Sequence, residues 1–337
     1  MRALVTGGSG FVGYHVIQAL LDHDWSVRAL VRTEAARARL SALAVKPVYG
    51  DLQTGLGLED AVKGVQAVFH VAALYSLLRR DVKAIYETNV GGTQRLLKVI
   101  QTAPQVERFI FTSSTASVGL RDDGVPADES LLVDPARVPD GYKRSKILSE
   151  RLVLAAHAKG LDAVVVNPSA PVGSGDVKPT PTGQLIADAV WGKMPAYVET
   201  GLNWVAVEDV AEGHFLAWQR GQAGQRYILG HENLTLRQFL ERLAHITGMP
   251  RPRFRVPWTV ARLAAYADEL FIAPALGRPV RAPIAGVELA RRPMFYTPRR
   301  AVQELGLPQT PLDQALRQAV AWFQGREPYA GRSRRRE

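Results

Sequence analysis

The chain has 337 residues, a formal net charge of +10 and no cysteine. That length suits one large α/β domain or two smaller ones, and the missing cysteines exclude disulfides, thiolate metal sites and cysteine nucleophiles. The apolar and charged fractions, 47% and 22%, are those of an ordinary globular protein. No apolar run is long enough to span a bilayer. The first residues enter a strand pattern at once, which leaves no room for a signal peptide and predicts a cytoplasmic protein. The basic excess raises nucleic acid as a partner, but the cations are spread out and no nucleic-acid motif occurs. The one true cluster is the tail around Arg332 to Arg336. It reads as a solvated, disordered end, with weak contact to an anionic membrane surface as the alternative.

In chain order, Ala3 to Val5 reads as a strand, followed by a G-x-x-G-x-x-G turn (Gly7, Gly10, Gly13) and an amphipathic helix to about His23. Strands follow at Ser26–Val31, Ala44–Tyr49, Ala67–Val71, Arg108–Thr112 and Ala163–Val166. Helices are predicted at Thr33–Leu43, Leu58–Lys63, Asp81–Ala103 and Gly141–Lys159. Strict alternation with continuous Val/Leu/Ile strands predicts a doubly wound α/β fold, a parallel sheet covered on both faces. The regularity stops near Pro168, where PVGSGDVKPTPTG opens a long loop to Pro195 of the sort that usually binds something. A helix at Thr182–Trp191, a short return strand at Trp204–Val207, a helix capped by Glu208-Asp209 and a strand at Gln225–Leu229 come next. The segments after Leu234 are mostly helical, with helices at 236–247, 258–270, 299–305 and 311–323. The expected division is 1–170 with 204–230 as a nucleotide domain, 171–203 with 231–325 as a smaller, mostly helical substrate domain, and 326–337 as a basic tail.

Three groups of residues carry chemistry. In the opening turn Gly7 permits a backbone that a Cβ forbids, Gly10 lets a pyrophosphate approach and Gly13 lets the helix lie on the strand. The helix N-terminus supplies N–H groups and partial positive charge. Tyr142 and Lys146 lie four apart on one helix face. An ammonium beside a phenol favours the tyrosinate, so the pair can protonate a carbonyl or deprotonate an alcohol near neutral pH. The plain alternative is a surface Tyr and Lys on an amphipathic helix. Ser113 and Ser114 follow a strand's carboxyl end, where binding groups gather in open α/β sheets; the alternative is that they only cap that strand.

Together these stretches resemble the extended short-chain dehydrogenase/reductases, within the NAD-dependent epimerase/dehydratase family. The matching strings, in the family's order, are TGGSGFVG (Thr6–Gly13), GDL (Gly50–Leu52), HVAA (His70–Ala73), NVGGT (Asn89–Thr93), FTSS (Phe111–Ser114), YKRSK (Tyr142–Lys146), NPS (Asn167–Ser169) and VEDVAEGH (Val207–His214). The chain looks like the dihydroflavonol-reductase-like branch, on VRALVR (Val27–Arg32) and FTSS. It is more closely similar to hopanoid-associated sugar epimerases, on Val166–Gly183, Gly192–Asn203 and Gly224–Leu236. The resemblance implies a Rossmann fold, with Thr6, Gly7, Gly10, Phe11, Val12 and Gly13 around the pyrophosphate and Asp51 and Leu52 by the adenine. It implies Ala72 and Ala73 behind the cofactor, and Asn167, Pro168 and Ser169 beside the nicotinamide. Ser114 would be the active-site serine, Tyr142 the acid/base, and Lys146 its partner and a ribose ligand. A homodimer through the 81–103 and 141–159 helices is also implied.

Strand two ends Val31-Arg32-Thr33, without the carboxylate that reads the ribose in NAD enzymes. Arg32 can instead pair with a 2′-phosphate, so NADP(H) is expected, with NAD(H) as the alternative. The leading expectation is an oxidoreductase acting on a small carbonyl or alcohol. A nucleotide-sugar epimerase with tightly held cofactor is the runner-up, with Arg226, Arg291 and Arg292 as candidates for a substrate pyrophosphate. A non-catalytic dinucleotide sensor is the third reading. No metal is expected. Tyr75, Tyr197 and Trp204 are candidates to line the substrate pocket.

Overall fold

The computed structural model describes residues 1–139, 141–194, 196–250, 254–278, 280 and 283–326. Residues 327–337 of the basic tail and Pro195, the end of the expected loop, lie outside the described residues. The first half alternates as the hydrophobic pattern predicts. The strands are β1 (Arg2–Thr6), β2 (Ser26–Val31), β3 (Val45–Tyr49), β4 (Ala67–His70), β5 (Arg108–Thr112) and β6 (Ala163–Pro168). The helices between them are α1 (Phe11–Asp22), α2 (Glu34–Arg39), α3 (Leu58–Val62), α4 (Val82–Ile85), α5 (Gly92–Gln101) and α6 (Gly141–His157). Helix α2 ends earlier than its Ala/Arg-rich sequence suggests. Ser41 turns its hydroxyl onto the carbonyl of Ala38, a local bond that competes with continued helix. The stretch from 81 to 103 is interrupted by a π-helical segment at Tyr86–Gly91, a device frequent at functional sites.

The second half adds β7 (Ala170–Val172), α7 (Pro181–Val190), β8 (Ala196–Val198), β9 (Gly201–Ala206), α8 (Val207–Arg220), β10 (Arg226–Leu229), β11 (Glu232–Thr235), α9 (Leu236–Thr247) and β12 (Phe254–Val256). It closes with α10 (Trp258–Ala267), α11 (Ala273–Ala275), α12 (Ile284–Leu289) and α13 (Leu312–Gln324). Strands order as β10-β6-β5-β4-β1-β2-β3 in one seven-stranded sheet, parallel throughout. It is the Rossmann arrangement, and its order reverses between β1 and β4. Ligands in open α/β sheets bind at such a reversal, outside the carboxyl ends of the strands. Apolar side chains fill both faces: Val5, Ile17, Phe69 and Tyr227 on one, Leu4, Leu96, Phe109 and Val153 on the other.

Two differences from the sequence reading concern the later strands. Strand β9 does not return to the large sheet. It pairs parallel with β7 and antiparallel with β11 in a separate three-stranded sheet. The expected long loop is correspondingly shorter, since β7 and α7 occupy both its ends. Helix α8 is N-capped by Ala206, not by Glu208-Asp209. The Asp209 carboxylate instead accepts from the Thr310 amide (2.7 Å) and hydroxyl (2.6 Å), tying α8 to the segment before α13.

Candidate active site

The opening turn fits a dinucleotide on geometric grounds. Gly7 has φ of +74°, and a Cβ there would lie 2.6 Å from the Ala72 backbone, where β4 passes. A Cβ on Gly13 would come within 2.2 Å of the Gly7 carbonyl oxygen. Gly10 caps α1 without a side-chain hydrogen bond, and no acidic residue stands in the first turn. The first amides of α1, at Phe11, Val12 and Gly13, are therefore left for an outside acceptor, which a pyrophosphate supplies.

A buried relay fixes this turn to its neighbours. Thr93 Oγ1 donates its one proton to the Asn89 carbonyl (2.6 Å), so it must accept from His70 Nε2 (3.0 Å). His70 Nδ1 is then an acceptor for the Thr6 hydroxyl (2.7 Å), and Thr6 Oγ1 accepts from the Ala72 amide (3.2 Å). The imidazole is thereby held neutral. Burial, with the Lys146 cation nearby as a smaller cause, pushes His70 down to about 3. Asn89, in the π-segment, clamps the backbone of Leu74 in both directions and donates to Ser145 Oγ at 3.0 Å. It therefore joins the loop after β4 to α6.

Helix α6 brings the catalytic candidates to the end of β5. Lys146 is 2% exposed, donates from Nζ to the Thr112 carbonyl (2.6 Å) and lies 4.7 Å from the Phe111 ring centroid. Burial lowers it to about 8, against the opposing pull of the Glu150 carboxylate. Tyr142 sits one turn earlier on the same face, and its ring stands 4.4 Å from that of Tyr75. Ser114 is half-buried at the start of a single 3₁₀ turn, Thr115–Ser117, which packs on α6. Its Oγ accepts from the Ala116 amide at 3.1 Å. No acceptor for its own proton stands among the described residues, so the hydroxyl can donate to a ligand oxygen.

Other expected residues fall in varied places. Asp51 is half-buried beyond β3 and accepts from the Gln53 amide (2.7 Å), while Leu52 is buried against Gly92. Arg32 is exposed just past the end of β2, beside the same edge. Ala73 is exposed and Pro168 buried. Ser169 Oγ is buried without a partner, a polar atom that a ligand could satisfy. Asn167 is wholly buried, and its Nδ2 donates to Ser114 O, Ser117 Oγ and Glu150 Oε2 at 2.9 to 3.1 Å. Its Nδ2 braces the serine turn from behind, while its Oδ1, like Ser169 Oγ, is buried without a partner among the described residues.

Two expectations need correction. Trp204 does not line a cleft: it is 0% exposed and stacked on Phe239 at 3.6 Å between ring centroids, because β9 belongs to the core of the small sheet. Tyr197, on β8, is half-buried and packs on that same core. Arg226 is not a site for a substrate anion either. Its Nε lies 2.7 Å from Glu150 Oε1, with side-chain exposures of 7% and 6%, and its other nitrogens donate to the carbonyls of Glu129 and Ser117. Arg292 pairs with Asp122, and Arg291 lies over the Trp258 ring.

Sequence reasoning missed the Glu150–Arg226 pair, the Asn89 clamp and the His70 relay. Signals were present: Glu150 stands four residues after Lys146 and so on the same buried helix face, and His70, Asn89 and Thr93 lie in the HVAA and NVGGT strings. Among the described residues, no three metal-ligating side chains come together.

Comparisons with known proteins agree with this geometry. Residues 3–230 match the NAD dependent epimerase/dehydratase family. A Synechocystis protein provisionally named a dihydroflavonol 4-reductase is 46% identical over 324 residues, covering 95% of this chain and 94% of its own. A Stigmatella aurantiaca ketoreductase, of 4-hydroxy-2-methyl-3-oxo-4-farnesyl-3,4-dihydroquinoline-1-oxide, is 35% identical, covering 98% and 99%. The crystal structure of gox2253 superposes with a TM-score of 0.85 at 41% identity, covering 96% and 98%. The chain therefore belongs to the NAD dependent epimerase/dehydratase family, as an NAD(P)-dependent enzyme of the extended short-chain dehydrogenase/reductase type.

Proposed function

We propose that the protein is an NADP(H)-dependent oxidoreductase that reduces a carbonyl to an alcohol. The observation that carries this is the buried Lys146 ammonium, seated on the Thr112 carbonyl one helical turn from Tyr142. A bound reduced nicotinamide supplies the hydride. The chain's part is to hold the carbonyl and deliver a proton. Ser114 donates its uncommitted hydroxyl proton to the carbonyl oxygen and orients it. Tyr142 gives up its phenolic proton to that oxygen as negative charge grows there, and the neighbouring Lys146 cation stabilises the tyrosinate left behind. The glycine turn and the first amides of α1 hold the pyrophosphate. Arg32, exposed past β2, takes the 2′-phosphate, which supports NADP(H) over NAD(H).

The fate of Arg226 favours a reductase over an epimerase of nucleotide sugars. An epimerase needs cations for the substrate's own pyrophosphate, and Arg226, the buried one of the three candidates, is committed to Glu150. Incubating the protein with NADPH and a panel of carbonyls, and following loss of reduced nicotinamide, tests the reading. Tyr142→Phe is expected to lower kcat by about 10² to 10⁴ with NADPH affinity kept. Arg32→Ala is expected to weaken NADPH while leaving NADH unchanged. Turnover of a sugar nucleotide by purified protein with no added cofactor would make it an epimerase instead.

A further inference from the structure

The segment from α10 to α11 presents an apolar face that no part of the described chain covers. Its inner side carries Ala265, Asp268 and Ala273, all buried. Its outer side carries Val260, Leu263, Tyr266, Leu270, Phe271 and Leu276, with Leu263 at 72% and Phe271 at 70% exposure. Single exposed leucines need no explanation, but a continuous run along one helical face does. The stretch is basic in sequence. Between residues 249 and 300 the sequence holds ten arginines and three acidic residues. Those three carboxylates are all engaged: Asp268 with Arg278, Glu269 with the Ile284 amide, and Glu288 with Arg262. The Arg262 and Arg291 guanidinium groups each lie 5.3 Å from the Trp258 ring centroid, giving the face an aromatic and cationic edge.

We propose that this face docks on the surface of an anionic phospholipid bilayer. An apolar helical stripe edged by arginine and tryptophan is the pattern of a helix lying in the plane of a membrane interface. The arginines meet anionic headgroups while their stems and the apolar stripe enter the acyl boundary. A second copy of the chain on the same face would bring two arginine-rich segments together, which the charge opposes. The cleft would then open at the lipid surface. The Trp258 indole donates to the Val287 carbonyl (3.0 Å), fixing α10 to α12. Helix α12 lies against Leu77 at Gly286, two residues from Tyr75, which stands against Tyr142. No helix among the described residues is long and apolar enough to cross a membrane, so the contact is with the surface only.

Flotation of the full-length protein with vesicles tests this, and needs no substrate. Binding is expected to vesicles of phosphatidylcholine with phosphatidylglycerol, to be weak with phosphatidylcholine alone, and to fall in about 1 M salt, where the screening length is about 3 Å. Leu263→Glu with Phe271→Glu should lower the partition coefficient at least about tenfold, with NADPH binding and the melting temperature retained. Should that variant not fold, Leu263→Ala with Phe271→Ala reads the same loss at smaller size. Removing residues 327–337 should leave most of the binding. Three outcomes overturn the proposal: no binding to anionic vesicles, binding that survives the apolar substitutions, or binding lost only with the tail. A dimer that the glutamate variant splits, without vesicle binding, would make the face a protein interface instead. None of these outcomes bears on carbonyl reduction, which is read separately.

Discussion

Arg226→Met separates a structural arginine from a substrate-binding one. The guanidinium contacts Glu150 at 2.7 Å and donates to two backbone carbonyls at 2.8 and 3.1 Å, out of contact with water. Methionine fills the space but leaves the Glu150 carboxylate buried with only Ser117 and Asn167 as donors, at 2.6 and 3.0 Å. It also strands the carbonyls of Glu129 and Ser117. Removing one partner of a buried ion pair costs about 3–5 kcal/mol. Unfolding entropy near 2.1 cal/mol/K per residue gives about 0.7 kcal/mol/K for 337 residues. The melting temperature should therefore fall by about 4–7 °C. Pairing Arg226→Met with Glu150→Gln should cost less than the sum of the two single changes by about 1 kcal/mol or more, because the second change removes the stranded charge. The assay is thermal unfolding of the four proteins in one buffer, with KM for the best carbonyl substrate alongside. An unchanged melting temperature with a raised KM would refute the reasoning and return Arg226 to the substrate side.

Lys146→Met is expected to abolish most reductase activity while raising stability. Lys146 is held at about 8, below its ordinary 10.5, by burial. The unfolded chain therefore binds more protons between about pH 8 and 10.5, stability rises with pH across that window, and below pH 8 the folded state carries the full penalty. Removing the ammonium should gain roughly 1–3 kcal/mol at pH 7, and a lower melting temperature would contradict this. In the wild type, carbonyl reduction by the free enzyme should decline as pH rises through about 8, as the ammonium loses its proton. Acid should unfold the protein early. Burial holds His70 at about 3 and His214 at about 4. Both folded values are depressed, so the stability they confer is complete above the unfolded value of about 6.5 and is lost as pH falls toward 4 and 3. Each contributes about 1.4 kcal/mol per pH unit, or about 3–4 kcal/mol for the pair between pH 6.5 and 5. Thermal melts across pH 4–7 check it, and His70→Gln should flatten the slope by about half. An unaltered slope would show that the imidazole is not held neutral.

The large sheet was legible because parallel strands buried on both faces are written as apolar runs, and because the glycine turn leaves no room for other residues at Gly7 and Gly13. Lys146 was legible through its spacing from Tyr142. Less could be read where burial depends on pairing across long sequence distance. Trp204 is an aromatic residue in an apolar strand, and only the pairing of β9 with β7 and β11 decides that it lies in a core and not in a cleft. Arg226 stands in a strand among Tyr227, Ile228 and Leu229, where a charge is out of place. Its partner is 76 positions away on α6, and one sequence alone does not connect them. The stretch from 81 to 103 read as one helix, and nothing in the spacing marked Asn89 as the residue the π-segment turns toward Leu74. The helical period of α10 was visible, whereas the exposure of its apolar side was not, since a stripe predicts burial and does not say against what.

Helix α6 explains why Lys146, the lysine of the proposed mechanism, can remain charged at all. An isolated ammonium at 2% exposure would lose its proton well below neutrality or pull the site open. Glu150, one turn further along, opposes that tendency, but a carboxylate introduced for Lys146 alone would itself be a buried charge. Arg226 meets it from the edge strand β10, and Ser117 and Asn167 satisfy its second oxygen. Asn167 also donates to the Ser114 carbonyl and so holds the turn that begins there. The charge state of Lys146 and the position of Ser114 thus depend on one buried network, anchored in the strand farthest from the glycine turn. A substitution at Arg226 or Glu150, neither of which faces the cleft, should therefore disturb the proposed proton donor and the Ser114 hydroxyl together, while the glycine turn after β1 is left as it was.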